Sequence, residues 1–262
     1  MASNHEIDFK IYGEEMQCVE IELDINETVI AESGALMYME NGIKMETIFG
    51  DGSQNDTGFM GKLLSAGKRL LTGESLFMTA YTNTIDRKGH VTFASPYPGK
   101  IIPMDLSKVG GRVICQKDAF LCAAKGVSVG IEFQKRLGTG IFGGEGFIME
   151  KLEGDGMAFL HAGGYVMEKI IQPGEILRID TGCIVGYTGG IDFDVQFVGG
   201  IKNTLFGGEG VFFAVLKGTG KVWLQSLPVS RLASRILSYS RPGNRKEEGS
   251  ILGGLGNLLD GD

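Results

Sequence analysis

The sequence predicts an all-β fold, with three tandem β units around a pseudo-threefold axis and a short C-terminal helix. One observation is a recurring phrase: residues 142–149 read FGGEGFIM, residues 206–213 read FGGEGVFF, and a worn copy, LTGESLFM, occupies 71–78. A second is the alternation of apolar and acidic residues over 17–25, which is typical of a half-buried strand. A third is the succession of short apolar runs bounded by Gly, Asp, Asn or Pro. Together these patterns favour a sandwich or barrel built from repeats.

The spacing of the repeat is constant between the second and third copies. The offset from Glu145 to Glu209 (209 − 145 = 64) equals the offset from Ala119 to Cys183 (183 − 119 = 64). The first copy is looser, because ESGALMYM begins at 32 and its counterpart QKDAFLCA at 116 (116 − 32 = 84), while the offset from Glu74 to Glu145 is smaller (145 − 74 = 71). The difference, 84 − 71 = 13, indicates an insertion in the first copy, near residues 51–68.

These landmarks divide the chain into four parts. We expect a first β unit at 1–99 with its loop insert near 51–68, a second at 100–170 and a third at 171–230. Residues 231–262 should hold a C-terminal helix and a flexible Gly-rich tail, since Leu232 and Ile236 fall at helical spacing and glycines follow.

Composition limits the classes of function. Glycine accounts for 42 of 262 residues without a Gly-X-Y period, which indicates many tight turns and excludes collagen. The net charge of −7 leaves no strong signal for nucleic-acid binding. The four cysteines show no CxxC spacing, so a zinc ribbon or redox motif has no support. No signal segment or membrane-length apolar run stands out, and we expect a cytoplasmic protein.

No catalytic, cofactor-binding or metal-binding set is recognisable. The three histidines, His5, His90 and His161, form no HxH or HExxH pair. The sequence contains neither a GxSxG elbow nor a phosphate-binding GxxxxGK[ST] loop. We therefore predict no enzyme activity, no cofactor and no metal site.

The repeated glutamates Glu74, Glu145 and Glu209 are the sharpest candidates for a site. Around a pseudo-threefold axis they would form a ring of carboxylates that holds a cation or repels itself. Alternatively, each carboxylate accepts hydrogen bonds from backbone N–H groups at its own glycine turn. We favour the second, structural interpretation.

The segments FGGEGFIMEKLEGDGMAFLHAGG (142–164), FVGGIKNTLFGGEGVFFAVLKGTGKVWLQSLP (197–228) and AESGALMYM (31–39) resemble a known family. They are similar to the bacterial relatives of the family named for altered inheritance of mitochondria, protein 24, over about residues 5–230. The resemblance implies three tandem double-stranded β-helix units of the kind seen in tryptophan RNA-binding attenuator protein. It implies no catalytic residues, and it links the family to mitochondrial biogenesis.

The leading hypothesis is a non-enzymatic scaffold or binding module that forms homo-oligomers and has a protein partner. A membrane-peripheral organiser is the alternative, because residues 59–71 form a short amphipathic stretch that would suit a membrane surface. For this stretch itself we favour a loop or short helix packed on the body of the protein. Binding of a small molecule or nucleic acid in a barrel mouth or unit seam is a further alternative.

Overall fold

A computed structural model describes residues 6–49, 77–135, 147–197 and 212–240. These residues form nineteen β-strands and one α-helix. The strands are β1 Asp8–Tyr12, β2 Cys18–Leu23, β3 Thr28–Glu32, β4 Leu36–Met39, β5 Ile43–Phe49, β6 Phe77–Asn83, β7 Gly89–Ala94, β8 Gly99–Asp105, β9 Arg112–Gln116, β10 Phe120–Ala124, β11 Ser128–Lys135, β12 Phe147–Glu153, β13 Met157–Gly163, β14 Val166–Ile171, β15 Ile176–Asp180, β16 Ile184–Thr188, β17 Ile191–Phe197, β18 Phe212–Gly218 and β19 Gly220–Gln225. The helix, α1, is Val229–Ser240. The predicted all-β class and C-terminal helix are confirmed.

The alternation that predicts strands determines which side chains are buried. In β2, Val19, Ile21 and Leu23 are fully buried, while Glu20 and Glu22 on the opposite face remain partly exposed. Successive side chains of a strand point to opposite faces, so the apolar set faces one core. In contrast, β10 (FLCAA) is buried at every position because it lies inside a sheet that is covered on both faces.

Four antiparallel sheets contain all the described strands. The first sheet has the order β1-β2-β7-β4, and the second β5-β6-β3-β10-β13-β8. The third has the order β11-β12-β9-β16-β19-β14, and the fourth β15-β18-β17. Three hydrophobic cores separate them, so the two six-stranded sheets are the inner layers and the smaller sheets the outer ones.

The middle core packs the two six-stranded sheets against each other, with residues such as Leu160 from one and Trp223 from the other. The first core lies between the four-stranded sheet, through Ile21 and Phe93, and the neighbouring inner sheet, through Phe159. The third core holds a stack of rings in which Tyr187 and Phe193 are 5.7 Å apart and nearly parallel.

Strand bounds and pairing irregularities recur along the chain. β9 and β10 span 112–116 and 120–124, and β15 and β16 span 176–180 and 184–188, at one constant offset (176 − 112 = 184 − 120 = 64). A register shift occurs at Leu36/Tyr38 in β4, at Phe120/Cys122 in β10 and at Ile184/Gly186 in β16. A bulge of this kind bends and twists a strand locally. The superposition of three units about one axis, and the unit boundaries at 99, 170 and 230, stay predictions.

Among the described residues, those up to Ser230 form one compact unit and those from Arg231 to Ser240 belong to a second. Within the described part of the second unit, the Arg235 guanidinium lies 5.3 Å from the centre of the Tyr239 ring, one helical turn later. No helix in the described part of the chain is long and apolar enough to cross a membrane.

Candidate functional site

The three repeated glutamates, for which we favour a structural role, are the first candidates from the sequence. Glu74, Glu145 and Glu209 lie outside the described residues, as does the stretch 59–71 that prompted the membrane hypothesis. Both interpretations of the three glutamates therefore stay predictions. Among the described side chains, no group of three His, Cys, Asp or Glu residues could hold a metal ion.

The remaining residues that the sequence singles out are spread over different sheets. His90 is on β7 in the four-stranded sheet, and His161 is on β13 in the second sheet. Trp223 on β19 is buried, and its indole Nε1–H donates a hydrogen bond to Glu168 Oε2 at 3.2 Å. All four cysteines are free thiols, of which Cys115 and Cys122 are buried. Burial raises the pKa of both buried thiols well above its usual value, so they are protonated at neutral pH.

The outer face of the four-stranded sheet carries an ordered pair of tyrosines. Tyr12 on β1 donates its phenolic hydrogen to Glu20 Oε1 at 3.1 Å, and Tyr38 on β4 donates to Glu20 Oε2. The Nζ of Lys10 lies 4.8 Å from the centre of the Tyr12 ring. These bonds, chiefly the one from Tyr38, lower the pKa of Glu20. The carboxylate therefore holds both rings in place on the surface.

A second network continues along the same face. Lys88 pairs with Glu22, and His90 lies between two carboxylates, with Nε2 3.3 Å from Glu22 Oε2 and Nδ1 3.3 Å from Glu40 Oε1. Register accounts for this grouping, because Glu22 is directly opposite His90 in the β2–β7 ladder. We call this set the outer face: Asp8, Lys10, Tyr12, Glu20, Glu22, Asp24, Tyr38, Glu40, Lys88 and His90.

The outer face is acidic and aromatic. It carries five carboxylates, of Asp8, Glu20, Glu22, Asp24 and Glu40, against the two ammonium groups of Lys10 and Lys88. About two fifths of each tyrosine remains exposed to solvent, 41% for Tyr12 and 43% for Tyr38. Tyrosines held rigid in this way suit protein recognition, since little side-chain entropy is lost on contact.

Two carboxyl groups with perturbed pKa values meet near the middle core. Glu150 on β12 is only 2% exposed, and burial, with the negative charge of Glu32 as a smaller cause, raises its pKa to about 8. Burial and the charge of Asp118 raise the pKa of Glu32, at the end of β3, to about 7. Lys117 opposes both shifts. Both carboxyl groups therefore titrate closer to neutral pH than an exposed glutamate does.

His161 lies in a distinct environment on β13. It is 2% exposed, its ring packs edge-to-face on Tyr97 at 4.5 Å, and neither ring nitrogen has a partner with hydrogen-bond geometry among the described residues. Burial lowers the pKa of His161 to about 4, although the backbone of Tyr97 opposes the shift. The imidazole is therefore neutral at pH 7.

A glutamine occupies the corresponding place on β19. Gln225 has the repeat's usual offset from His161 (225 − 161 = 64). Its side chain joins the end of β13 to the turn before β16, by accepting from Gly163 N and donating to Gly182 O, both at 2.8 Å. Beside His161, Tyr97 supplies the comparable bond, from its hydroxyl to the Asp118 carbonyl at 3.4 Å. This arrangement indicates a structural role for His161.

Sequence reasoning missed the buried carboxyl pair and the tyrosine contacts to Glu20. The sequence does not mark Glu150, because a polar residue after the apolar Met149 fits a half-buried strand, and only the structure shows that both residues are buried. No sequence signal pairs Glu32 with Glu150, because the two residues are far apart in the chain and meet only after the two inner sheets stack.

Comparison with known proteins supports a family assignment. The chain is 29% identical over 225 residues to an uncharacterised protein of Streptococcus pyogenes serotype M6. This alignment covers 84% of the chain and 86% of the relative. The crystal structure of protein SPYM3_0169 from Streptococcus pyogenes superposes with a TM-score of 0.71 at 22% identity, over 89% of this chain and 100% of that chain. This structural similarity shows that the two proteins share a fold.

A family model covers most of the described body. The model described as "Mitochondrial biogenesis AIM24" matches residues 9–227, from β1 to the residue that precedes the helix by two positions. The match agrees with the resemblance drawn from the glycine phrases and the terminal VWLQS segment. The chain therefore belongs to the family that this model describes, the AIM24 family.

Proposed function

We propose that the chain is a non-enzymatic scaffold module that binds a protein partner through the outer face. The observation that carries this proposal is the pair of exposed tyrosines, Tyr12 and Tyr38, which are both fixed by hydrogen bonds to Glu20. Rigid aromatic groups within a polar surface are common anchors of protein interfaces. The structure supports the proposal through this geometry.

The charge of the outer face indicates the chemistry of the partner. Five carboxylates and two lysines leave an excess of negative charge there, so a partner surface with exposed Arg or Lys side chains is complementary. Arginine is the favoured residue, because its guanidinium can pair with a carboxylate and also stack on a tyrosine ring. Association should therefore weaken as salt is raised.

The sheet beneath makes the outer face rigid. Val19, Ile21, Val91 and Phe93 are fully buried on the inner side of β2 and β7, directly behind the charged residues. Strands anchored in a packed core position surface side chains more accurately than loops do. The outer face can therefore be recognised with little rearrangement of the backbone.

The test begins with capture of the partner in the host cell. A photo-crosslinking amino acid at position 12 should capture a protein that the same group at position 165 does not, since Tyr165 is a well-exposed tyrosine outside the outer face. With that protein isolated, calorimetry compares the wild type, the double variant Tyr12→Ala/Tyr38→Ala and the control Tyr165→Ala. We expect the double variant alone to lose at least tenfold in affinity.

Two results would contradict the proposal. One is equal capture from positions 12 and 165. The other is unchanged affinity in the double variant, provided that its thermal unfolding matches that of the wild type. A partner whose binding strengthens with salt would exclude the charge complementarity in particular.

The membrane hypothesis remains a prediction that depends on residues 59–71, which lie outside the described part of the chain. Flotation of the full chain with anionic liposomes, compared with a variant that lacks residues 58–71, tests it directly.

A further inference from the structure

Each inner sheet is made by joining two three-stranded groups edge to edge. In the second sheet, β5-β6-β3 meets β10-β13-β8 through the antiparallel pair β3–β10, with Ala31 opposite Cys122 and Val29 opposite Ala124. In the third sheet, β11-β12-β9 meets β16-β19-β14 through β9–β16, with Cys115 opposite Gly186 and Val113 opposite Thr188. The same kind of junction is therefore used twice.

The outer sheets each contain one group of the same kind without its complement among the described strands. β15 ends the group β17-β18-β15, which matches β5-β6-β3 and β11-β12-β9 in pairing order. β4 ends the group β2-β7-β4, which matches β8-β13-β10 and β14-β19-β16, and it shares their register shift. Within the described structure, β4 and β15 pair with their own sheets on one side only and not with each other.

The side chains of these two edges are exposed where their counterparts are buried. Met37, Tyr38 and Met39 in β4 are 60%, 43% and 39% exposed, whereas the matching strand β10 is buried throughout. Ile176 in β15 is 52% exposed. An apolar sheet edge with free backbone groups readily pairs with another chain, and natural proteins usually block or cover such edges.

We propose that β15 of one copy pairs antiparallel with β4 of a second copy, which adds chains head to tail. The two existing junctions set the register. The repeat offset of 64 maps Cys115 and Val113 of β9 onto Ile179 and Leu177 of β15. The offset of 84 maps Cys122 and Ala124 of β10 onto Tyr38 and Glu40 of β4. Ile179 then lies opposite Tyr38, Arg178 opposite Met39, and Leu177 opposite Glu40.

The proposed contact joins two half-sheets into one of the inner type. In this register Ile179 of one copy and Tyr38 of the next share one face of the joined sheet, and Arg178 and Met39 share the other. Different surfaces of the two copies meet, so the contact is heterologous and generates a ring or an open filament. This inference goes beyond the proposed function, because it concerns the pairing of copies through the backbone edge of β4, although Tyr38 and Glu40 at that edge also belong to the outer face.

Cross-linking of the full chain tests the register. In a Cys18→Ser/Cys183→Ser background, which leaves only the buried thiols, Met39→Cys and Arg178→Cys are made in separate chains and mixed with the short thiol cross-linker dibromobimane. We expect a covalent dimer from the mixture and none from either variant alone. The mixture of Met39→Cys with Lys169→Cys, an exposed position on β14, is the control.

Light scattering on the intact protein tests the assembly itself. We expect a mass of at least twice the 28.2 kDa of one chain. Met39→Lys, which places like charges opposite each other, should shift the protein to monomer, and the double variant Met39→Lys/Arg178→Glu should restore the larger species. Both positions are exposed, so neither change threatens the fold.

Any of three results would overturn the inference. The first is a monomeric wild type at all accessible concentrations. The second is a bimane link confined to single chains in the Met39→Cys/Arg178→Cys double variant, which would show that the chain closes on itself. The third is an oligomer that Met39→Lys leaves unchanged. A monomer that still binds its partner through Tyr12 and Tyr38 would exclude only the edge pairing, whereas an assembled protein without partner binding would exclude only the proposed function.

Discussion

Replacing Glu150 with glutamine should stabilise the protein above neutral pH. The carboxyl of Glu150 is almost completely buried, and its pKa rises from the usual 4.5 to about 8 on folding. Between these two values the unfolded chain has lost the proton while the folded chain retains it. The stability that protonated Glu150 allows is therefore fully present below pH 4.5 and is lost progressively as the pH rises to about 8.

The magnitude follows from the same two pKa values. The interval from 4.5 to about 8, at about 1.36 kcal/mol for each pH unit, gives an upper bound of about 5 kcal/mol. Some loss of stability with rising pH persists in the variant, because Glu32, whose pKa is about 7, still ionises over part of this pH range. We therefore expect Glu150→Gln to be more stable than the wild type by about 2–5 kcal/mol at pH 8.5 and by little at pH 5.

Urea unfolding at pH 5, 6, 7 and 8.5 measures the effect. The control is Glu46→Gln, which removes a carboxylate of similar charge from an exposed ion pair with Lys44 and should change stability by less than about 1 kcal/mol at every pH. A Glu150→Gln variant whose stability follows the wild-type pH dependence would refute the reasoning. So would a variant that is less stable than the wild type at pH 8.5.

Three further predictions concern other parts of the described structure. Because burial lowers the pKa of His161 to about 4, the wild type should lose stability as the pH falls from 6.5 to 4. In thermal unfolding, the melting temperature of His161→Gln should fall less over this pH range than that of the wild type. Equal decreases would show that the imidazole is not held neutral in the fold. Phe147→Ala should cost about 3–5 kcal/mol in urea unfolding because the ring is buried and parallel to Phe193 at 5.7 Å, whereas Ile170→Ala, at an exposed site, should cost less than about 1 kcal/mol; equal losses would disprove this packing. Asn26 has a φ of 66°, so Asn26→Ala should destabilise by about 1 kcal/mol and Asn26→Gly hardly at all, and the reverse order in calorimetry would contradict the left-handed turn.

Local pattern allowed much of the strand content to be predicted. The alternation in 17–25 predicts β2 because a strand turns successive side chains to opposite faces, and Val19, Ile21 and Leu23 are indeed the buried set. The helical spacing of Leu232 and Ile236 likewise predicts α1. The Glu20/Glu22 alternation also places two members of the outer face, though it does not reveal the tyrosines that Glu20 holds.

By itself, the sequence determined the all-β class, the C-terminal helix and the AIM24 family, since strand periodicity and short motifs are local in the chain. The tertiary structure decided which residues meet across long separations. Glu32 and Glu150 acquire their perturbed pKa values only when the two inner sheets stack, because desolvation depends on what covers a group. The open edges of β4 and β15 likewise emerge only from sheet order, because strand pairing is a non-local choice that neighbouring residues do not encode.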